Sequence, residues 1–180
     1  MKFYLETERL VLREFRISDA PYIFELDSNP EVHKYLGNNT IATFKQAEGI
    51  ISFFLRQYEK QKIGRFTIFE KFSGDFIGWS GLKLNTGEKE ALNGFTNFID
   101  IGYRLLPKFW GKAYATESAI KCLDFGFSQM NYDVIYGAAE TLNIGSNKIL
   151  QKIGLQFVNN FHFKGKEAKW YALKKSDYEQ

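Results

Sequence analysis

The sequence predicts a mixed α/β fold: a twisted sheet, part parallel and part antiparallel, with helices on both faces. Three observations carry this reading. Strand-like and helix-like apolar periods alternate in the second half of the chain, which implies parallel pairing through crossover helices. Strand-like runs meet across Ser73-Gly74-Asp75 and across Gly165, which implies hairpins. The 180 residues, 44% hydrophobic and 25% charged, suit one globular domain with a sizeable core, so residues 1–180 are expected to form a single domain.

Taken in order, residues 9–17 read as a strand. Ser18-Asp19-Ala20-Pro21 supplies an N-cap and an early-helix proline; Ala20, Ile23, Phe24 and Asp27 follow at helical spacing until Pro30 breaks the helix. Ala47, Ile50, Ile51, Phe54, Leu55 and Tyr58 make one stripe at three–four spacing, a second helix ended by Gly64. Phe66 to Phe69 alternates as a strand, and Phe76 to Leu84 is its return. Asn85 to Asn93 is polar and reads as a loop. Thr96 to Leu106 is the central strand, stopped by Pro107. Ala113 to Met130 is helix-like, with Ala119, Ile120, Leu123 and Phe127 on one face. Asp133 to Ala139 is a strand, and Asn143 to Lys152 a helix capped by Gly154. Phe157 to Phe163 and Ala168 to Leu173 close the chain as a strand pair.

The segment Trp110-Gly111-Lys112-Ala113-Tyr114-Ala115-Thr116-Glu117 joins the central strand to the helix that follows. The first N–H groups of a helix lack internal partners and sit at the positive end of its dipole, so such a turn suits an anion, phosphate above all. A nucleotide P-loop is excluded: Ala113 follows Gly111-Lys112 where Ser or Thr is needed, and Leu106 replaces the first Gly. A dinucleotide fingerprint is excluded too, because of its three spaced glycines only Gly111 is present.

The loop resembles the pyrophosphate loop of the GNAT superfamily of N-acetyltransferases, and most closely its ribosomal-protein (Rim-type) branch, where it reads Trp-Gly-Lys-Gly-Tyr-Ala-Thr-Glu-Ala. Only Ala113 departs over the residues quoted, where Gly is usual. Glu8-Arg9-Leu10-Val11-Leu12-Arg13 is similar to the family's opening strand, Asp100-Ile101-Gly102-Tyr103 to its acidic-Ile-Gly-Tyr strand, and Asn143-Ile144-Gly145-Ser146 to its Asn-x-x-Ser helix. These segments follow the family's order from about residue 8 to about residue 173.

The resemblance implies splayed central strands and acetyl-CoA as co-substrate. Its pyrophosphate would lie on the loop of Trp110, Gly111, Lys112, Ala113, Tyr114, Ala115 and Thr116. Its pantetheine would lie along the strand edge at Tyr103 and Leu105, in contact with Asn143. It further implies Asp100 as the base, directly or through water, and Ser146 as the donor for the leaving thiolate. The Tyr that many members carry seven residues after the helix Asn is replaced here by Leu150. An acid that the branch carries on its late strand pair has no aligned counterpart, with Glu167 a distant one. A base is needed because an α-amino group titrates near about 8 and a lysine near about 10.4, the latter holding its proton by about 4–5 kcal/mol at neutral pH. The acceptor implied is a primary amine, on a protein N-terminus or a small molecule. The alternative is a non-catalytic acetyl-CoA sensor.

Composition narrows the remaining classes. A net charge of +3 with no basic–aromatic stretch argues against a nucleic-acid partner. No run approaches the length of a membrane span, the first residues lack an apolar signal core, and a cytoplasmic location is expected. No Cys/His cluster has metal-ligand spacing, so no metal is expected; Cys122 reads as a small buried residue, and His33 and His162 as isolated surface or core residues. Phe44, Phe53, Tyr58 and Trp79 are candidates for the core or for an acceptor cleft. The oligomeric state is left open, a dimer included.

Overall fold

A computed structural model describes residues 3–178; the outermost two residues at each end of the expected 1–180 domain, including Met1 and Lys2 of the leader reading, lie outside them. Eight strands form one sheet: β1 (Tyr4–Glu6), β2 (Leu10–Arg13), β3 (Arg65–Glu70), β4 (Phe76–Thr86), β5 (Asn97–Leu105), β6 (Val134–Glu140), β7 (Gln156–Phe163) and β8 (Lys166–Lys174). The helices are α1 (Ala20–Asp27), α2 (Pro30–His33), α3 (Phe44–Gln61), α4 (Tyr114–Asp124), α5 (Ile144–Lys152) and α6 (Lys175–Tyr178). The sheet order is β1-β2-β3-β4-β5-β6-β8-β7. Every neighbouring pair is antiparallel except β5 and β6.

The predicted elements are found with several changes. The strand read over residues 9–17 is the shorter β2, and β1, outside that reading, precedes it and pairs with it as a hairpin. Pro30 does not merely stop α1: with Asn29 capping the Glu31 N–H, it opens α2 as its first residue. Helix α3 is longer than its stripe, starting with a Thr43–Gln46 capping box and ending at Gln61, after which the C-cap Lys62 is left-handed at φ 55°. The long helix after the loop is α-helical only to Asp124 and continues as a π turn, Phe125–Gln129. Gly126 lies in that turn, so close to Leu82 and Ile135 that a Cβ would meet them at 2.5 and 2.8 Å.

Side chains alternate faces along each strand, and this splits the helices between two layers. Asp100, Gly102 and Arg104 of β5 face the layer of α1 and α3, where Arg104 reaches Asp27 at the end of α1. Ile101, Tyr103 and Leu105 face the layer of α4 and α5, where Tyr103 reaches Ser146. The core fills both layers. Leu10, Leu12, Ile23, Ile51 and Ile68 are fully buried among its members, each worth about 1.5–3 kcal/mol in transfer terms. Cys122 is among them, on α4 beside Ser80; burial pushes its thiol up to about 12, so it packs as an inert small side chain, as expected.

Candidate active site

The site lies where the sheet opens. Strands β5 and β6 run parallel but meet only at Asp100 and Tyr136. Beyond that point they part, and helices α4 and α5 start from their far ends. The Leu106 N–H gives to Ile77 on β4. By the alternation of main-chain groups in an antiparallel ladder, Tyr103 and Leu105 therefore turn theirs the other way, into the gap. Both predicted edge residues are thus on the open edge. The Leu105 carbonyl is taken by the Trp110 indole N–H at 2.8 Å, which locks the start of the loop against the strand it leaves.

Two residues in the loop are left-handed, Gly111 at φ 74° and Ala113 at φ 64°. Nothing lies within 4 Å of a Cβ built on Gly111, so conformation rather than space favours glycine there. Ala113 is the N-cap of α4 and not part of the helix. The first bond of the helix ladder runs from the Glu117 N–H to the Ala113 carbonyl. The N–H groups of Tyr114, Ala115 and Thr116 precede that bond and have no place in the ladder. Glu117 anchors the turn: it accepts from Thr7 Oγ1 at 2.5 Å and from Arg9 Nε at 2.7 Å. Burial would raise its carboxyl, but the bonds from Thr7 and Arg9 outweigh that and hold it below the usual value. Arg9 also gives to the Lys112 carbonyl and lies 4.5 Å from the Tyr114 ring centre, which brings a cation to the loop.

Across the gap, Asn143 caps α5, its Oδ1 accepting from the Ser146 N–H at 3.1 Å; the amide nitrogen is not used in the cap. Ser146 Oγ lies 3.1 Å from Tyr103 Oη, which also gives to the Ser146 carbonyl at 3.0 Å. Burial pushes the Tyr103 phenol well above its ordinary value, against the lowering effect of Ser146, so the hydroxyl keeps its proton. Leu150 is buried against Gly137, so the position of the family's usual phenol is core. Tyr103 brings a phenol to the α5 side of the gap instead.

Asp100 lies on the opposite face with its side chain a quarter exposed. Its neighbours are cationic and neutral. Arg65 Nη2 reaches both carboxylate oxygens at 3.1 and 3.0 Å, and Asn85 Nδ2 reaches Oδ1 at 2.9 Å. Arg65 also gives to the carbonyls of Gly81 and Asp100 and lies over the Trp79 ring at 5.4 Å. Gly102 makes this possible, since a Cβ there would stand 2.9 Å from the guanidinium carbon. Arg65 was not foreseen, although it opens β3; its charge next to an apolar run was the one available signal.

Of the other residues singled out, Tyr58 and Trp79 are core, while Phe53 lines a cleft beside Arg104 and Phe44 is exposed, stacked on Phe24. His33 is not isolated: it is buried beside Asp27. His162 is exposed on β7, and Glu167 is exposed and accepts from Thr141. Among the described residues no His/Cys/Asp/Glu group could hold a metal ion, and no helix is long and apolar enough to cross a membrane.

Residues 9–156 match the family described as the acetyltransferase (GNAT) domain. A relative in Bacillus subtilis (strain 168), the uncharacterized N-acetyltransferase YoaA, is 32% identical over 152 residues, covering 84% of this chain and 82% of that protein. The fold is shared with a spermidine N-acetyltransferase from Vibrio cholerae solved with CoA and spermine, at a TM-score of 0.76 and 18% identity, over 97% of this chain and 100% of that one. It is shared as well with RimL, a ribosomal L7/L12 alpha-N-protein acetyltransferase solved with coenzyme A, at 0.78 and 13% identity, over 96% and 98%.

Proposed function

The chain belongs to the GNAT acetyltransferase family and is an N-acetyltransferase; from that premise we propose that residues 1–180 act as one domain that moves the acetyl group of acetyl-CoA to a primary amine. The observation that carries the coenzyme assignment is the opening between β5 and β6, closed at one end by a left-handed turn whose N–H groups precede the α4 ladder. Main-chain N–H groups from Gly111 to Thr116 would hold the pyrophosphate, with Arg9 adding charge. Tyr103 and the Leu105 N–H would pair with the pantetheine amides along the open edge, and the Asn143 amide nitrogen would meet them from α5. When bound, acetyl-CoA supplies an acetyl group activated as a thioester.

The chain's own part is to move two protons. Asp100 is the acceptor of the first, taken from the amine through a water. Arg65 and Asn85 aim its carboxylate, and Oδ2, bonded only to Arg65, has lone-pair capacity left for that water. Ser146 Oγ gives up the second proton on the α5 side, held in place by Tyr103 Oη, 3.1 Å away, which keeps its own. The two groups sit on opposite faces of β5, so neither quenches the other.

The test is thiol release from acetyl-CoA with amine acceptors, beside calorimetry with acetyl-CoA. Asp100→Asn should lose about 100-fold or more in turnover while binding acetyl-CoA as the parent does; parental turnover would remove Asp100 from the role of base. The two coenzyme-bound neighbours act on different acceptors, one crystallised with a polyamine and one named for a protein N-terminus. The acceptor is therefore chosen by side chains and not by the fold.

A further inference from the structure

The face of the sheet that carries Asp100 also carries a cleft of about 520 Å³, lined among others by Asp27, His33, Phe53 and Arg104. Arg104 is fixed there from two sides. Its Nη1 gives to Asp27 Oδ1 at 2.5 Å, and its guanidinium lies over the Trp79 ring at 5.1 Å. Its Nε is buried and has no hydrogen-bond partner among the described residues. His33 repeats the pattern. Its Nε2 meets the same Asp27 oxygen at 3.3 Å, and its Nδ1 is buried without a partner. Buried polar atoms are nearly always paired, so two unpaired ones on neighbouring residues that line one cleft point to where a ligand's polar group is received.

The chemistry of these atoms selects the ligand. Arg Nε is a donor only, one tine of a planar fork that fits a carboxylate. Asp27 Oδ1, in a residue 1% exposed, already accepts from both Arg104 and His33, so the charge of Asp27 is balanced within the lining. The Arg104–Asp27 pair sums to zero charge and His33 adds nothing negative, so this lining does not attract a polycation. A dianionic phosphate would call for more net positive charge than the pair supplies.

We propose that the acceptor is an amine that also carries a carboxylate, held through the unpaired Nε side of Arg104 with His33 meeting a second polar group beside it. The inference rests on the acetyl-transfer reading above, which places the acceptor on the Asp100 face. The experiment is thiol release with matched acceptors: glycine, β-alanine and γ-aminobutyrate against alkylamines of equal length, with a dipeptide, phosphoethanolamine and spermidine as further arms. Carboxylated amines should exceed their alkylamine counterparts at least tenfold in kcat/KM, and the dipeptide arm tells a free amino acid from a peptide as the source. Arg104→Lys keeps a cation beside Asp27 but lacks the fork; it should raise KM for the carboxylated amines at least tenfold, the loss falling on KM rather than kcat. Spermidine, phosphoethanolamine or plain alkylamines serving equally well or better would overturn the proposal, as would an unchanged KM in the variant. So would a protein that binds acetyl-CoA by calorimetry but acetylates none of the carboxylated amines. The wild-type comparison decides the matter even if the variant is unstable. Wild-type protein that binds no acetyl-CoA would instead sink the acetyl-transfer reading itself.

Discussion

Ala113 makes the turn into α4 at φ 64° and ψ 7°, where an L side chain is disfavoured by about 1–2 kcal/mol. Glycine escapes that cost but loses about 0.5–1 kcal/mol more backbone entropy on folding than alanine. The difference favours glycine, so Ala113→Gly should stabilise the protein by about 0.5–1 kcal/mol and raise Tm by about 1–4 °C. Thermal unfolding checks it, and a lower Tm would show that the alanine is held there by contacts that offset its strain. The residues of the loop, with Asp100, Tyr103, Asn143 and Ser146, were legible because they stand in consecutive motifs. Arg65 and the Asp27–Arg104 pair were not. Their partners lie 35 and 77 positions apart, and a single charged residue carries no period that would announce them. The backbone angle of Ala113 had one signal, the glycine usual at that position in the family the loop resembles.

Among the elements, α3 was legible from its apolar stripe, and β4 and β5 from their turns and from Pro107. Strand β1 was missed because three residues are too few to show alternation. The conversion of α4 to a π turn was missed because the apolar period continues through it, although Gly126 in that turn packs close to Leu82 and Ile135. Strand β5 also explains a glycine that no turn requires. Gly102 leaves room for the Arg65 guanidinium, which is buried and bonded to two carbonyls and a carboxylate. Gly102→Ala should displace that group from Asp100. We expect at least a tenfold fall in turnover with acetyl-CoA affinity retained, measured by thiol release and calorimetry. Full activity would show that Asp100 does not depend on Arg65 for its aim.

At the scale of the molecule, the mixed sheet with helices on both faces followed from the order of elements. The insertion of β8 between β6 and β7 did not, because a hairpin reads the same in either orientation. The closed core has a consequence for alkaline pH. The Cys122 thiol is pushed up to about 12 by burial, above an unfolded thiol near about 8.5. Between these values the native state holds a proton that the unfolded state releases, so this contribution to stability is complete below the lower value and is lost as pH rises toward the upper one. Urea unfolding should lose stability above about pH 9, with up to about 1.4 kcal/mol per pH unit from this thiol. Cys122→Ala should flatten the slope; an unchanged slope would assign it to other groups, the buried phenols among them.

Of the three tryptophans, Trp79 and Trp170 are 9% and 1% exposed, while Trp110 is 50% exposed and tethered at the mouth of the left-handed turn. The molecule thus comes with an intrinsic optical reporter. Emission from Trp110 should dim or shift in wavelength as acetyl-CoA is titrated in, and Trp110→Phe should silence that signal, which allows occupancy to be followed without a label.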